Sequence, residues 1–587
     1  MREEYTARLK RHQSGFAYRT KMVRITFFAI PVFTGLFGVC LYGAIVLHWF
    51  TPAYVVAAAG LLVGAIYLDN DVSRKQRRSQ HLVRFYQRAV DRLDGQWIGK
   101  GNSGTAFLDA NHAYARDLDI FGEGSLFEML HTIGQTGQDT LARWLCEAAS
   151  AEEIRNRQEA VRELRNDLDL HERIAQYGLP DSESQLAQAV QDWIEPPAPP
   201  ISSWARGAAP FLVLCMVATA GLWWRQGIVF PAVVAGAAEL SFAWFYRERV
   251  RDSAAKTRHL AFRLESAYGV LRVLENSVFQ SIRLRGLQQE LRSGRALPSS
   301  TLRRLIGFAT LLRQTETEPV GPFLHLVLWS TQCVFAIDAW RSRFGDALQA
   351  SLRVVGEFEA LCCLAVYSRE HPENVFPEIL DRSRPAFEGE NLRHPLIRDC
   401  VPNSIQLGEA PQLTVISGSN MSGKSTLLRT IGTNLVLAQA GAPVCATSLR
   451  SSSLAIGASL QIADSLRSGI SRFYAEVRKL NQIMQLAEER PTIFLCDEVL
   501  SGTNSYDRAI GTKAVLQGFL AAGALGLVTT HDLTLTRIAE DLAPQAANAH
   551  FQDQIENGQM TFDYRLHRGV VRKSNALELM RAVGLKV

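Results

Sequence analysis

The sequence predicts an α/β domain on a mostly parallel sheet, C-terminal to an α-helical body with four membrane-spanning helices in two hairpins. Three observations lead there. Short apolar strands alternate with helical stretches in the C-terminal third of the chain, which is the pattern of a parallel sheet. The middle repeats apolar residues at steps of three and four, as in Leu260, Leu264, Tyr268, Leu271 and Leu274, which marks one buried helical face. Two pairs of long apolar runs interrupt the polar sequence around them.

Apolar residues make up 47% and charged residues 21% of 587, with a formal charge of +5. These values suit a folded chain of several domains and exclude wholesale disorder. The small positive charge permits nucleic acid or anionic lipid as a partner without demanding either. The cysteines are scattered, with no Cys-x-x-Cys spacing, so neither a zinc site nor a disulfide framework is indicated.

The first pair of runs is Ile25 to Leu47 and Pro52 to Leu68; the second is Gly207 to Trp224 and Gly227 to Tyr246. Each approaches the ~20 residues that cross a hydrocarbon core. The links, around Trp49-Phe50 and Trp223-Trp224, are aromatic and suit an interface. A cleaved signal peptide fits poorly, because a second span follows the first at once. A buried core hairpin is the alternative, more plausible for the second pair. Lys10, Arg11, Arg19, Lys21 and Arg24 precede the first span, and Arg74, Lys75, Arg77 and Arg78 follow the second. Arg206, Arg247, Arg249 and Arg251 flank the other pair, against one Arg225 in its loop. The positive-inside tendency then places both ends in the cytoplasm, as an integral protein of a bacterial inner membrane. Gly60 and Gly64 offer a small-residue packing face. Glu239, inside the fourth span, is a functional candidate or a protonated packing residue.

Between the hairpins and the α/β domain, 72–100 and 247–295 read as long helices, 323–340 as a buried helix and 346–367 as an amphipathic one. Arg283, Arg285, Arg292, Arg295, Arg303, Arg304 and Arg313 form a basic stretch. It reads either as a solvated or membrane-facing surface or as a nucleic-acid contact; sparse aromatics argue against base stacking. The chain thus divides into 1–24, a hairpin at 25–68, a linker helix at 69–110, a helical core at 111–204, a second hairpin at 205–246, the rest of the core at 247–385, and the α/β domain at 386–587.

The strand Leu413 to Ile416 runs into Gly418, Ser419, Asn420, Met421, Ser422, Gly423, Lys424, Ser425 and Thr426, and a helix follows from Leu427. This is G-x-x-x-x-G-K-S between a strand and a helix, the arrangement of a P-loop. Its glycines let backbone N–H groups curl around phosphate, with the positive helix end adding to the field. Lys424 is placed to reach the β and γ phosphates of ATP, and Ser425 to ligate Mg²⁺. A second strand, Thr492 to Cys496, ends at Asp497 and Glu498. Asp497 is the second expected metal contact, and Glu498 the carboxylate that orients or activates water. A third, Gly526 to Thr530, delivers His531 to the same edge.

Ser417–Thr426, with Asn-Met inside the loop, resembles the phosphate loop of the MutS family, and Asp497–Asn504 resembles that family's acidic strand end. Asp464–Glu476 is similar to its signature segment. Arg393–Pro395, Val401–Asn403, Asp119–Leu126, Ile154–Val161 and Gly356–Leu361 are similar to segments of its ATPase domain and helical core. The resemblance covers 110–585, strongly after 390. It implies an ABC-type ATPase using ATP and Mg²⁺, a homodimer in which Ser471 reaches the partner's nucleotide, and binding to mismatched, damaged or branched DNA. The glycine-rich LSGGQ of transporter ATPases is lacking.

The sequence departs from that family in three places. Residues 1–100 hold apolar runs and helix where the family has a mismatch-reading domain. The DNA-gripping insertion is short or missing, and longer members continue beyond the position of Val587. A second reading therefore stands beside DNA repair: a membrane ATPase that couples nucleotide state to a protein partner.

Overall fold

The computed structural model describes all residues except 46, 48, 50, 135, 179–185, 196–200, 315–326, 382–383, 462–471, 557–558 and 571–587. Helices α1 (Arg2–Ile45) and α2 (Pro52–Leu93) come first. They run antiparallel: Arg2 bonds Asp94 at one end (2.8 Å), and Thr26 bonds Asp69 further along (2.6 Å).

Five shorter helices follow: α3 (Leu126–Leu130), α4 (Gly137–Cys146), α5 (Ala151–Leu164), α6 (Leu168–Ala175) and α7 (Leu186–Ile194). Three of their starts, those of α3, α5 and α6, are written in the sequence. Ser125 and Ser150 accept from the N–H groups of Glu128 and Glu153, and Asp167 accepts from that of Leu170, satisfying donors that a helix start leaves orphaned.

Next are α8 (Ser203–Gln226), α9 (Phe230–Asn276), α10 (Ile282–Arg292), α11 (Ser299–Gln314) and α12 (Trp329–Glu370). The expected helix over 247–295 is two, broken between Asn276 and Ile282. The helices expected at 323–340 and 346–367 form one, α12, within the described residues. Residues 354–368 of it are buried on all sides, so much of the stretch expected to be amphipathic is instead enclosed.

Among the described residues three helices, not the four expected, are long and apolar enough to cross a membrane: α1, α2 and α8. The fourth expected span opens α9, but that helix begins only at Phe230, carries Glu239, and turns basic from Arg247. Its uninterrupted apolar part is therefore too short. It still packs antiparallel on α8, through a tight connection with Gly227 at φ 71°.

The C-terminal region holds two sheets. The smaller orders its strands β1 (Glu378–Leu380), β5 (Ser448–Ser452), β2 (Phe387–Leu392), β3 (Asn403–Leu407). The larger has six: β4 (Leu413–Ser417), β6 (Ala455–Ser459), β7 (Thr492–Asp497), β8 (Leu525–Thr530), β9 (Ala546–Glu556) and β10 (Gln559–Arg568). Their order is β10-β9-β4-β8-β7-β6, parallel except for the edge strand β10. Helices α13 (Lys424–Ala440), α14 (Arg472–Glu489), α15 (Ser505–Ala521) and α16 (Thr536–Asp541) accompany these sheets among the described residues. Strands β4 and β8 are buried throughout, as expected for a parallel sheet covered on both faces.

Register then positions the site. Ser417 pairs with Thr530, and Asp497 with Thr529. The carboxyl ends of β4, β8 and β7 are thus side by side, where parallel sheets bind ligands. Helix α13 is seated on the helical body. A Cβ at Gly432 would stand 2.6 Å from Leu118, and Arg429 donates to the Asp117 carbonyl at 3.1 Å.

Candidate functional site

The loop from Gly418 to Gly423 joins the buried strand β4 to the N-terminus of α13. Met421 takes φ 70° and Gly423 φ 100°, so the chain curls in a region that L side chains rarely adopt. A Cβ at Gly423 would lie 3.2 Å from the ring of Tyr564, and one at Gly418 would lie 3.0 Å from Ser422 Oγ. Glycine is required for this close approach. Lys424 folds back over the loop, donating from Nζ to the Gly418 and Ser419 carbonyls at 2.8 and 2.7 Å. Its side chain is buried, and burial pushes its pKa down against the opposing pull of Asp497 and Glu498. Such an ammonium gains from an added anion.

Ser425 and Asp497 are in direct contact, with the hydroxyl donating to the carboxylate. Thr529 donates to the other carboxylate oxygen. Glu498 takes φ 51° and Leu500 φ 53°, a strained turn held from two sides. The Glu498 N–H donates to the Thr529 carbonyl at 3.1 Å, and the Leu500 N–H donates to buried Glu476 Oε1 at 2.5 Å. His531 Nδ1 stands 2.8 Å from Glu498 Oε1. Strain at a turn persists where the surroundings enforce it, often at functional sites.

A cavity of about 450 Å³ opens over these residues. Asn420, Met421, Gly423 to Thr426, Asp497 and Glu498 line one side. Leu392, Ile397, Val401, Asn403 and Tyr564 line the other. The structure therefore brings together the predicted phosphate loop, Asp497, Glu498 and His531. Ser471 lies outside the described residues.

The expected ATP and Mg²⁺ can be tested against the loop itself. Among the described residues, Ser419 Oγ and Ser422 Oγ are buried without a hydrogen-bond partner, which is costly unless a ligand completes them. With the glycine-lined curl, the buried ammonium and the paired oxygens of Ser425 and Asp497, this donor set fits a phosphate and a hard cation. Among the described residues no group of three or more His, Cys, Asp or Glu side chains could hold a metal, so a cation here would take its remaining oxygens from a bound phosphate and water.

Two contributors were not expected as site residues: Tyr564 carried no motif, and Glu476 was only the last residue of the segment similar to the family's signature. Tyr564 sits on β10, pinned because Asn403 Nδ2 donates to its carbonyl at 2.9 Å. Glu476 lies on α14, 24 residues upstream of the turn it holds. The pairing of Val401–Asn403 with the loop was hinted only by resemblance.

Of the basic stretch, Arg283 is committed to Glu357. Arg285, Arg292, Arg295, Arg303 and Arg304 are exposed, and none makes an ion pair among the described residues.

A curled glycine loop between a central parallel strand and a helix N-terminus, facing an acidic strand end, has the geometry that cradles anions in α/β domains. Residues 414–586 match the family model "MutS domain V". Endonuclease MutS2 of Thermus thermophilus is 35% identical over 219 residues, covering 35% of this chain and 28% of that protein. Endonuclease MutS2 of Thermomicrobium roseum is 32% identical over 260 residues, covering 41% of this chain and 32% of that protein. DNA mismatch repair protein MutS of Streptococcus uberis is 29% identical over 248 residues, with shares of 41% and 29%. The C-terminal region of this chain is thus similar to the MutS family. It spans less than a third of the length of these relatives.

Proposed function

We propose that this chain is a membrane-anchored ATP hydrolase that works as a dimer and acts on DNA. The observation that carries the proposal is the loop at 418–425 closed against Asp497, with two buried serine hydroxyls awaiting partners. ATP would lie with its phosphates in the loop and its base against Ile397 and Tyr564. Ser425 and Asp497 would hold Mg²⁺, which neutralises charge developing on the transferred phosphate. Lys424 would exchange its two loop carbonyls for phosphate oxygens. Glu498, oriented by His531, would align a water and take its proton. Ser471 would complete the partner's site, as the MutS resemblance implies.

The membrane part rests on α1, α2 and α8, whose apolar windows are 6, 17 and 11% buried. Phe28, Val32, Val56, Val63 and Phe211 expose large apolar side chains along them. Such a continuous apolar surface needs a covering, and lipid supplies it, with the basic flanks on the cytoplasmic side of a bacterial inner membrane. DNA, mismatched, damaged or branched, would meet the exposed arginines of α10 and α11.

One observation favours a reading without DNA. The cytoplasmic end of the first hairpin is clamped to the end of α12, directly before the α/β domain, by Arg92 on Glu370 and Arg369 on Glu4. Nucleotide state would then be passed to a protein partner at the membrane. Salt-dependent DNA binding by the detergent-purified protein separates the two. Binding that weakens steeply with salt supports the DNA role; none at low salt, with or without ATP, rejects it. Failure to bind ATP at all would reject both.

A further inference from the structure

We propose that a basic pocket at the base of the second hairpin binds the phosphate-bearing headgroup of an anionic membrane lipid; this rests on the membrane reading above. The pocket, about 460 Å³, lies where α8 and α9 leave the apolar zone and meet the first turns of α12. Arg206, Arg249, Arg341 and Arg343 line it, with Asp338 among them.

The charges do not cancel. Arg249 donates twice to Asp338 Oδ2, at 3.1 and 2.9 Å, and Arg341 stands 3.5 Å from Oδ1 of the same carboxylate. One negative charge thus serves two guanidinium groups. Arg206 donates only to the Ile201 carbonyl, at 3.3 and 2.9 Å. Arg343 lies over the Phe344 ring at 5.1 Å. Neither has a carboxylate partner among the described residues. Glu195 and Asp346, exposed in the wall, leave four arginines against three carboxylates. A guanidinium fork matches phosphate oxygens, and Arg343 keeps its fork free for them.

The surroundings select the source of the phosphate. Trp204 is 73% exposed and Trp244 68%, and Arg247 lies over the Trp244 ring at 4.2 Å. Aromatic rings beside arginines are the composition of a membrane interface. Leu240 and Phe245 expose apolar faces where acyl chains would run. Beneath, Ile201, Ala205, Ala209, Leu328 and Phe335 pack the hairpin to α12. Basic pockets between helices at this level suit lipid headgroups. A DNA backbone would have to press against an apolar surface to reach it.

The test titrates the detergent-purified full chain with dihexanoyl phosphatidylglycerol, dihexanoyl phosphatidylcholine, inorganic phosphate and a short DNA duplex, following thermal unfolding. A ligand that binds only the folded state raises the unfolding temperature. Phosphatidylglycerol is expected to raise it where the other three do not. Arg206→Gln with Arg343→Gln is expected to weaken that response about tenfold with the lipid-free unfolding temperature unchanged; Arg343→Lys, which keeps the charge without the fork, should retain only part of it. A double variant that responds like the parent overturns the site. An equal response to phosphatidylcholine, phosphate or DNA overturns the anionic lipid. Carbonate extraction tests the membrane reading separately: release of the chain without detergent rejects it, whatever the titration gives.

Discussion

His531 Nδ1 lies 2.8 Å from Glu498 Oε1, across the adjacent carboxyl ends of β8 and β7. The bond fixes one carboxylate oxygen, and Glu498 lines the cavity together with Lys424 and Ser425. A carboxylate held this way suits water orientation, which typically contributes 10²–10⁴-fold. Glu498→Gln is therefore expected to bind ATP with parental affinity and to lose turnover by roughly 10²-fold or more. His531→Ala should lose less, since the carboxylate remains. Steady-state hydrolysis beside equilibrium nucleotide binding checks both; a Glu498→Gln protein hydrolysing at the parental rate would remove Glu498 from this role.

Lys424 is expected to act on binding. Its ammonium is buried and now rests on two carbonyls, so Lys424→Ala leaves an anion in the loop without its cation. Affinity for ATP should fall about tenfold or more, read with a fluorescent nucleotide. Ser471 is expected to work across the dimer. Mixing Ser471→Ala chains with Lys424→Ala chains should restore partial hydrolysis, because one of the two composite sites then regains both groups. No recovery over a range of mixing ratios contradicts a shared site.

Arg92 and Glu370 form a two-pronged pair at 2.7 and 2.6 Å, nearly closed to solvent. Removing one partner of a buried pair strands the other charge and costs about 3–5 kcal/mol. Arg92→Met is expected to destabilise strongly, and Arg92→Met with Glu370→Met to recover most of the loss. Denaturant unfolding of the four proteins of this cycle measures the coupling. Equal and additive losses would show that the pair does not hold the first hairpin to α12.

The elements of the site were legible because strand, loop and helix are local. Ser417 to Thr426 carries its own signal in sequence, and so do the apolar run 492–496 and the acidic pair after it. Tyr564 and Glu476 were not legible as site residues. Each acts through a contact far along the chain, and a lone Tyr on an edge strand has no periodicity to betray it. The fourth expected span misled for a different reason. Apolar residues before Phe230 extend the run in sequence, but they belong to the connection and not to the helix. The long helix expected over 247–295 hid its break because polar Asn276, Ser277 and Ser281 are ordinary residues on a helix surface as well. The basic stretch hid the commitment of Arg283 to Glu357, a contact 74 residues apart.

His171 is fully buried on α6, and neither ring nitrogen has a partner among the described residues. Burial, with Arg369 nearby, pushes its pKa down to about 3. The folded protein thus keeps this ring neutral where the unfolded chain, titrating near 6.5, takes up a proton. Stability from this residue is complete above about pH 6.5 and declines as pH falls toward 3, by up to about 1.4 kcal/mol per pH unit. Buried Glu359, pushed up to about 8, changes in the opposite sense as pH falls from 8 to its unfolded value, so the whole-protein profile mixes the two. The difference between parent and His171→Phe isolates one of them. That ring keeps an aromatic body at the site and cannot titrate. The unfolding temperature of the parent relative to the variant is expected to be constant at pH 7 to 8 and to fall between pH 6 and 4. A difference that stays flat over that range would mean His171 is protonated in the folded state, with a partner for its charge.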